Sequence, residues 1–275
     1  MRSSDHRGLI GLCIVAVFAS LAAVSVVWTP HDIADFDVFA RFQPPNATYC
    51  LGTDHFGRDS LSMLMVGART SMLVAFCAVV IGACVGVPLG CIAAARGGWL
   101  DEAISRGNDL VFAFPALLSA LILAAVMGPG ILIAVVAIAI FNVPVFARVA
   151  RGASLPVWRM EYATAARVAG KRTWRIIADH ILPNIGGLLI VQLTIQLSVS
   201  VLQEAGLSYV GLGARPPSTS WGQMLAQAQT MAVIAPRLAI IPGLSIVAFV
   251  IGLNMIGNTL RERLDPRLGT AVEAR

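Results

Sequence analysis

The chain has 275 residues, of which 57% are hydrophobic and only 13% charged, against roughly 25% charged residues in soluble domains. That balance excludes a soluble globular enzyme and predicts an all-α integral membrane protein. The net charge of +5 would suit nucleic acid, but the cations gather in short loops beside apolar runs; membrane lipid is the expected partner and nucleic acid is not.

A membrane-spanning helix needs about 20 predominantly apolar residues, and six stretches qualify: 9–28, 72–95, 110–127, 131–147, 186–202 and 235–260. The first follows Arg2 and Arg7 in the manner of a secretory signal, but its apolar core exceeds the roughly 7–15 residues usual for one. An uncleaved anchor is expected. The stretch after it, 29–70, carries Pro30, Pro44, Pro45 and several aspartates. Residues 1–70 therefore read as an anchor helix with an outer segment, 71–265 as a five-span core and 266–275 as a tail.

Orientation follows from the lysine and arginine balance across short loops. With the N-terminus inside, the inner segments hold fifteen cations and the outer segments five: Arg41, Arg58, Arg69, Arg215 and Arg237. Seven of the fifteen (Arg148, Arg151, Arg159, Arg167, Lys171, Arg172 and Arg175) surround one loop, 148–185. The reverse topology would carry that loop outward, so both termini are placed in the cytoplasm.

Between Glu161 and Ile177 apolar residues recur at mixed three- and four-residue spacing, interrupted by Gly170. This predicts two short amphipathic helices meeting at a glycine turn. Small alanines on the first would let it enter a partner's groove. Physics alone leaves a second reading level with that one, a basic loop lying on anionic headgroups.

The fifth span carries Gln192, Gln196, Ser200 and Gln203 near one helical face. Polar groups inside a membrane tend to face cavities or neighbours. The stripe reads as the lining of a translocation path offering amides to peptide-like groups, with hydrogen bonding between helices as the alternative. Glu204 follows at the outer end, either solvated or paired with Arg215 or Arg237. Pro115 and Pro144 interrupt other spans and favour kinks. The turn-rich GTDHFGRD (52–59) reads as a cap on the second span, and with the loop GLGARPPSTSWG (211–222) as a surface for an outer partner.

Several motifs together carry a family resemblance. The segment EYATAARVAGKRTWRIIADHILP resembles the cytoplasmic loop of binding-protein-dependent ABC transporter permeases, with Ala165, Ala166, Gly170, Leu182 and Pro183 in register. Thr164 replaces that pattern's glutamate and His180 its isoleucine, as in the dipeptide/oligopeptide/nickel branch. The stretches LGTDHFGRDSLSMLMVGARTS, RGGWLDEAISRGNDLVFAFPALL, LQEAGLSYVGLGARPPSTSWGQML and LRERLDPRLG resemble other parts of that branch in the same order, and the long outer segment resembles its C-type subunit.

The resemblance implies a type I ABC importer permease of the bacterial inner membrane, taking di- or oligopeptides, with nickel or glutathione as alternatives. It implies a heterodimer with a second, homologous permease, two cytoplasmic ATP-binding subunits and a periplasmic substrate-binding protein. It also makes Glu161, Thr164, Ala165, Ala166, Arg167, Gly170, Leu182 and Pro183 the loop that couples to the ATPase. A secondary transporter would call for acidic residues at mid-membrane, and the spans hold none well inside. A non-transporting anchor would leave the polar stripe without purpose.

The phosphate-cradling pattern G-x-x-x-x-G-K-[ST] is absent: Gly170 and Lys171 are followed by Arg172, and Ala165 occupies the earlier glycine position. His6, His31, His55 and His180 lack metal spacing, and Cys13, Cys77, Cys84 and Cys91 lie in apolar runs with Cys50 alone in a polar one. No metal, cofactor, disulfide or ATPase site is expected.

Overall fold

The computed structural model describes residues 2–264. Arg267, Arg275 and the second half of the LRERLDPRLG motif, 265–269, lie outside the described residues. Five helices are long and apolar enough to cross a membrane, and a sharply bent pair supplies a sixth crossing if its two arms are taken together. The first, α1 (Arg2–Val24), packs along the last, α10 (Arg237–Leu264). The two backbones touch closely at Gly11, where a Cβ would lie 2.7 Å from the Gly252 carbonyl oxygen.

The second helix, α2 (Ser60–Arg96), begins twelve residues before the apolar run that predicted it. Asp59 starts it by accepting a hydrogen bond from the Ser62 amide at 2.9 Å, which satisfies one of the orphan donors of a first turn. Ser60, Ser62, Thr70 and Ser71 are buried; Ser62 Oγ accepts from the His31 amide at 3.0 Å and Ser71 Oγ from the Trp221 amide at 3.2 Å, so their polarity marks contact with other segments rather than solvent.

Further along α2, Gly82, Gly86 and Gly90 form a stripe at four-residue spacing against α5 (Ile131–Trp158). A Cβ on Gly82 would collide with Asn142, and one on Gly86 would stand 2.8 Å from the Phe146 Cβ. Small residues let membrane helices approach this closely. α5 also runs past its predicted end at 147, so Arg148 and Arg151 belong to a helix and not to the loop.

The third predicted span, 110–127, is not one straight helix. It divides between α3 (Gly98–Ala113) and α4 (Ala116–Met127), which are bent by 84°. Pro115 disfavours a helical conformation in the residue before it, and Phe114 is accordingly extended, at φ −98° and ψ 133°. The α3 arm is tied to α5 by Arg151, whose Nε and Nη2 each lie 2.5 Å from Asp101, and by Arg148 on Asp109 at 2.9 Å.

A loop after α5 leads to α6 (Glu161–Val168), α7 (Thr173–Ile176) and a π-turn at Ile177–Ile181. That turn feeds α8 (Leu182–Tyr209), and α9 (Trp221–Gln229) precedes α10. Trp221 is fully buried among Leu64, Val201, Phe249 and the partly buried Phe18. Its indole N–H donates to the Leu64 carbonyl at 3.1 Å.

The segment between α1 and α2 folds against α9 and α10. Arg58 Nε lies 2.7 Å from Asp54 Oδ2, and its Nη2 reaches Gln227 at 2.9 Å. Arg237 donates to the carbonyls of Gln43 and Thr53. Gly57 adopts φ +81°, and a Cβ there would collide with the Asp37 carbonyl.

Candidate functional site

α6 and α7 form a hairpin at the end of the bundle that holds most of the arginines. Glu161 opens α6, where an acidic side chain complements the helix dipole. The helix ends at Gly170, which takes φ +77°. The Gly170 amide donates to Arg167 O and the Lys171 amide to Ala166 O, each at 3.1 Å. This is the paired six-to-one and five-to-two closure of a Schellman turn, which favours glycine at that position. The glycine expected from the spacing therefore has a backbone reason.

The hairpin divides its residues cleanly. Ala163 and Ala166 turn inward and join Trp158, Ile176, Ile177, Ile181 and Ile185 in one core cluster. Thr164, Ala165, Arg167 and Gly170 face outward. Val168 and Trp174 are exposed too, at 84% and 59%. The amphipathic pattern pointed to both as apolar members of the helices, but not to their lying on the open side.

Leu182 is half-buried and Pro183 exposed at the start of α8. The Leu182 amide bonds to the Ile177 carbonyl, five residues back. This wider turn fits the proline that follows, whose ring would otherwise crowd the carbonyl four residues earlier. Arg167 stacks over the Trp158 ring at 5.3 Å, and Tyr162 lies 5.9 Å from His180. Lys171 reaches Asp179 and His180, each at 3.4 Å. The hairpin is thus a small folded unit seated on α5 and α8.

The stripe on α8 separates into two environments. Gln196 donates to Asn142 Oδ1 at 2.6 Å, and Asn142 Nδ2 donates to Ser200 Oγ at 3.1 Å. Asn142 on α5 was not singled out in the sequence; a lone amide in an apolar span was its signal. Gln203 instead borders a cavity of about 280 Å³ walled by Ala116, Ala120, Phe141, Val199 and Leu207 among others. Gln192 is half-buried. Glu204 is buried and bonded to Ser208 rather than to Arg215 or Arg237.

No group of three or more His, Cys, Asp or Glu side chains arranged to hold a metal occurs among the described residues. The fold and the hairpin together define a polytopic helical membrane protein that presents a rigid helical unit at one end of its bundle.

Comparison with known proteins places this class. Residues 86–270 match the family model described as the binding-protein-dependent transport system inner membrane component. The dipeptide transport system permease protein DppC of Alkalihalophilus pseudofirmus is 39% identical over 96% of this chain and 87% of its own length. The glutathione transport system permease protein GsiD of Pectobacterium atrosepticum is 37% identical over 96% and 88%.

Among solved structures, a chain of the MetNI methionine ABC transporter in an inward-facing conformation superposes with a TM-score of 0.63. At 19% identity, over 74% of this chain and 96% of that one, it shares the fold. The chain belongs to the binding-protein-dependent transport system inner membrane components. It is the membrane-embedded permease subunit of an ABC system, with no ATPase role of its own in that family.

Proposed function

We propose that this chain is one of two permease subunits of an ATP-driven importer that carries di- or oligopeptides into the cell. The observation that carries the reading is the α6–Gly170–α7 hairpin. It offers Thr164, Ala165, Val168 and Trp174 to a partner from a seat packed on two spanning helices. Two ATP-binding subunits dock beneath, one of them on Thr164 to Gly170. A second, homologous permease completes the path, and a binding protein delivers cargo to the opposite end.

In this reading the hairpin passes on movement because it is stiff. Ala163 and Ala166 join it to α5 and α8 in a single core, so a push on the open side moves spans rather than bending a loop. The spans then rock about the path in the alternating-access sense. The N-terminus and the hairpin face the cytoplasm, where the arginine balance puts them.

Peptide cargo is supported by the names of relatives from 37% to 39% identical, which transport dipeptides or the peptide glutathione. Gln203 fits it chemically, since an amide beside an apolar cavity can bond a peptide group. The test is uptake of labelled dipeptides, oligopeptides, glutathione and nickel by vesicles holding the complete transporter and its binding protein. Peptide-stimulated ATP hydrolysis that falls at least about tenfold on substituting Gly170, with the complex intact, is the expected result. Unchanged coupling would sink the hairpin assignment, and nickel as the sole cargo would sink the peptide one.

A further inference from the structure

A second polar cluster closes the opposite end of α8. Glu204 lies about 33 Å along the helix from Leu182, at 1.5 Å per residue, and is 1% exposed. Its Oε1 accepts a hydrogen bond from Ser208 Oγ at 2.6 Å. The hydroxyls of Ser71 on α2 and Ser220 at the start of α9 face the same carboxyl group. Its Oε2 is buried without a hydrogen-bond partner among the described residues.

Both of those hydroxyls are also committed to α9. Ser71 Oγ accepts from the Trp221 amide and Ser220 Oγ from the Gln223 amide, each at 3.2 Å. A serine hydroxyl has one proton to donate as well as lone pairs. Each can therefore hold an α9 amide and turn its proton toward Glu204. The carboxyl group thus sits where α2, α8 and the first turn of α9 meet, and hydroxyls that donate to it while accepting from α9 would reinforce one another.

Packing draws the same elements together. A Cβ on Gly222 would collide with the Ala205 carbonyl, one on Gly213 would collide with Ser208, and one on Gly67 would stand 3.1 Å from the Trp221 ring. The neighbouring cations are occupied elsewhere. Arg69 bonds to the Ser25 carbonyl, Arg58 to Asp54, and Arg237 to the carbonyls of Gln43 and Thr53. Arg215 is exposed. Among the described residues the carboxyl group meets hydroxyls and no ion-pair partner.

We propose that Glu204 is a positioning residue that clamps α9 against α2 near Ser71 and against the end of α8, so that opening this end of the path means drawing the Ser71 and Ser220 hydroxyls away from it. What the clamp controls rests on the importer reading. Whether the clamp exists does not.

The test uses the full chain in membranes, with its five native cysteines replaced by alanine and a reporter cysteine, A228C, on the buried face of α9. The rate of labelling by a water-soluble maleimide reads how often α9 lifts. E204A should speed labelling on the order of tenfold, while labelling of a cysteine placed at Ala150, in the hairpin-side core, stays slow.

E204Q should keep the slow rate, because one acceptor oxygen and a donating amide still satisfy rotatable hydroxyls. Equal labelling with and without E204A would overturn the proposal, as would E204Q labelling as fast as E204A. If E204A does not accumulate, E204D is used in its place with the same expectation, because the shorter side chain draws the carboxyl group back from the hydroxyls and leaves the α9 cap at Ser220 intact. A Gly170 variant that loses ATPase coupling but labels normally at A228C keeps the two readings separable.

Discussion

Gly170 and His55 show how single residues at the two ends of the molecule carry different burdens. No heavy atom stands within 4 Å of a Cβ built on Gly170, yet its φ is +77°. Alanine there meets no clash and still incurs a left-handed cost of about 1–2 kcal/mol. G170A is expected to loosen the hairpin without unfolding the bundle. Hydrogen exchange at the amides of positions 170 and 171 should rise about tenfold with the thermal midpoint of the whole chain nearly unchanged.

At His55, partial burial holds the imidazole pKa below its ordinary 6.5; Asp54 opposes this, while Arg58 and Arg41 add to it. The folded chain therefore binds fewer protons at this ring than the unfolded chain does. Its contribution is full above pH 6.5 and declines as the pH falls through the folded value. Exchange protection of the Asp54 and Gly57 amides, both bonded within this turn, should weaken on acidification below about 6.5. The H55Q variant should not show that slope.

At the scale of elements, close approach decides what a substitution costs. Gly86 has Val143 and Phe146 of α5 against it, whereas Gly107 on α3 has nothing within 4 Å. G86A should lower the melting free energy in detergent by about 1–3 kcal/mol through overpacking. G107A should raise it by up to about 1 kcal/mol, because alanine is the better helix former.

The Arg151–Asp101 pair, with side chains 37% and 19% exposed, is worth no more than about 1 kcal/mol after screening. It nonetheless holds α3 at the bend. R151D alone should free α3 to a protease directed at residues 98–113, and adding D101R should restore protection.

Elements also divide what was legible from what was not. Five of the six apolar runs became spanning helices because burial in lipid and the need to satisfy backbone bonds leave few alternatives. The sixth broke at Pro115, and the ends of α2 and α5 were misjudged for one reason: buried serines and paired arginines read as loop in a linear chain. Likewise the spacing placed a glycine turn at 170 but did not say that Ala163 and Ala166 face inward while Val168 and Trp174 face out. Which face is buried depends on α5 and α8, which are far away in sequence.

At the scale of the whole molecule, the arginine hairpin and the Glu204 cluster occupy the two ends of α8 and are joined by that one helix. If the importer reading holds, movement at one end reaches the other through this helix, whose Gly186–Gly187 pair just past the π-turn is where bending is expected. Reporter fusions are expected to place the N-terminus and residue 170 on the cytoplasmic side and residue 215 outside; a residue 170 fusion active outside would reverse the topology. In the same membranes the chain should co-purify with an ATP-binding subunit, and V168D with W174D should abolish that association while leaving the thermal midpoint intact.

By itself the sequence determined that this protein lives in a membrane, crosses it with long apolar helices and keeps its basic loop on one side. Those outcomes follow from transfer energies and charge, which act on each segment separately. It also marked the family, through motifs whose order is fixed along the chain. The tertiary structure decided the rest: the 84° break at Pro115, the pairing of Gln196 and Ser200 with Asn142, and the gathering of three serines around Glu204. Each depends on residues brought together from different helices, and hydrogen bonds and close packing act only at contact.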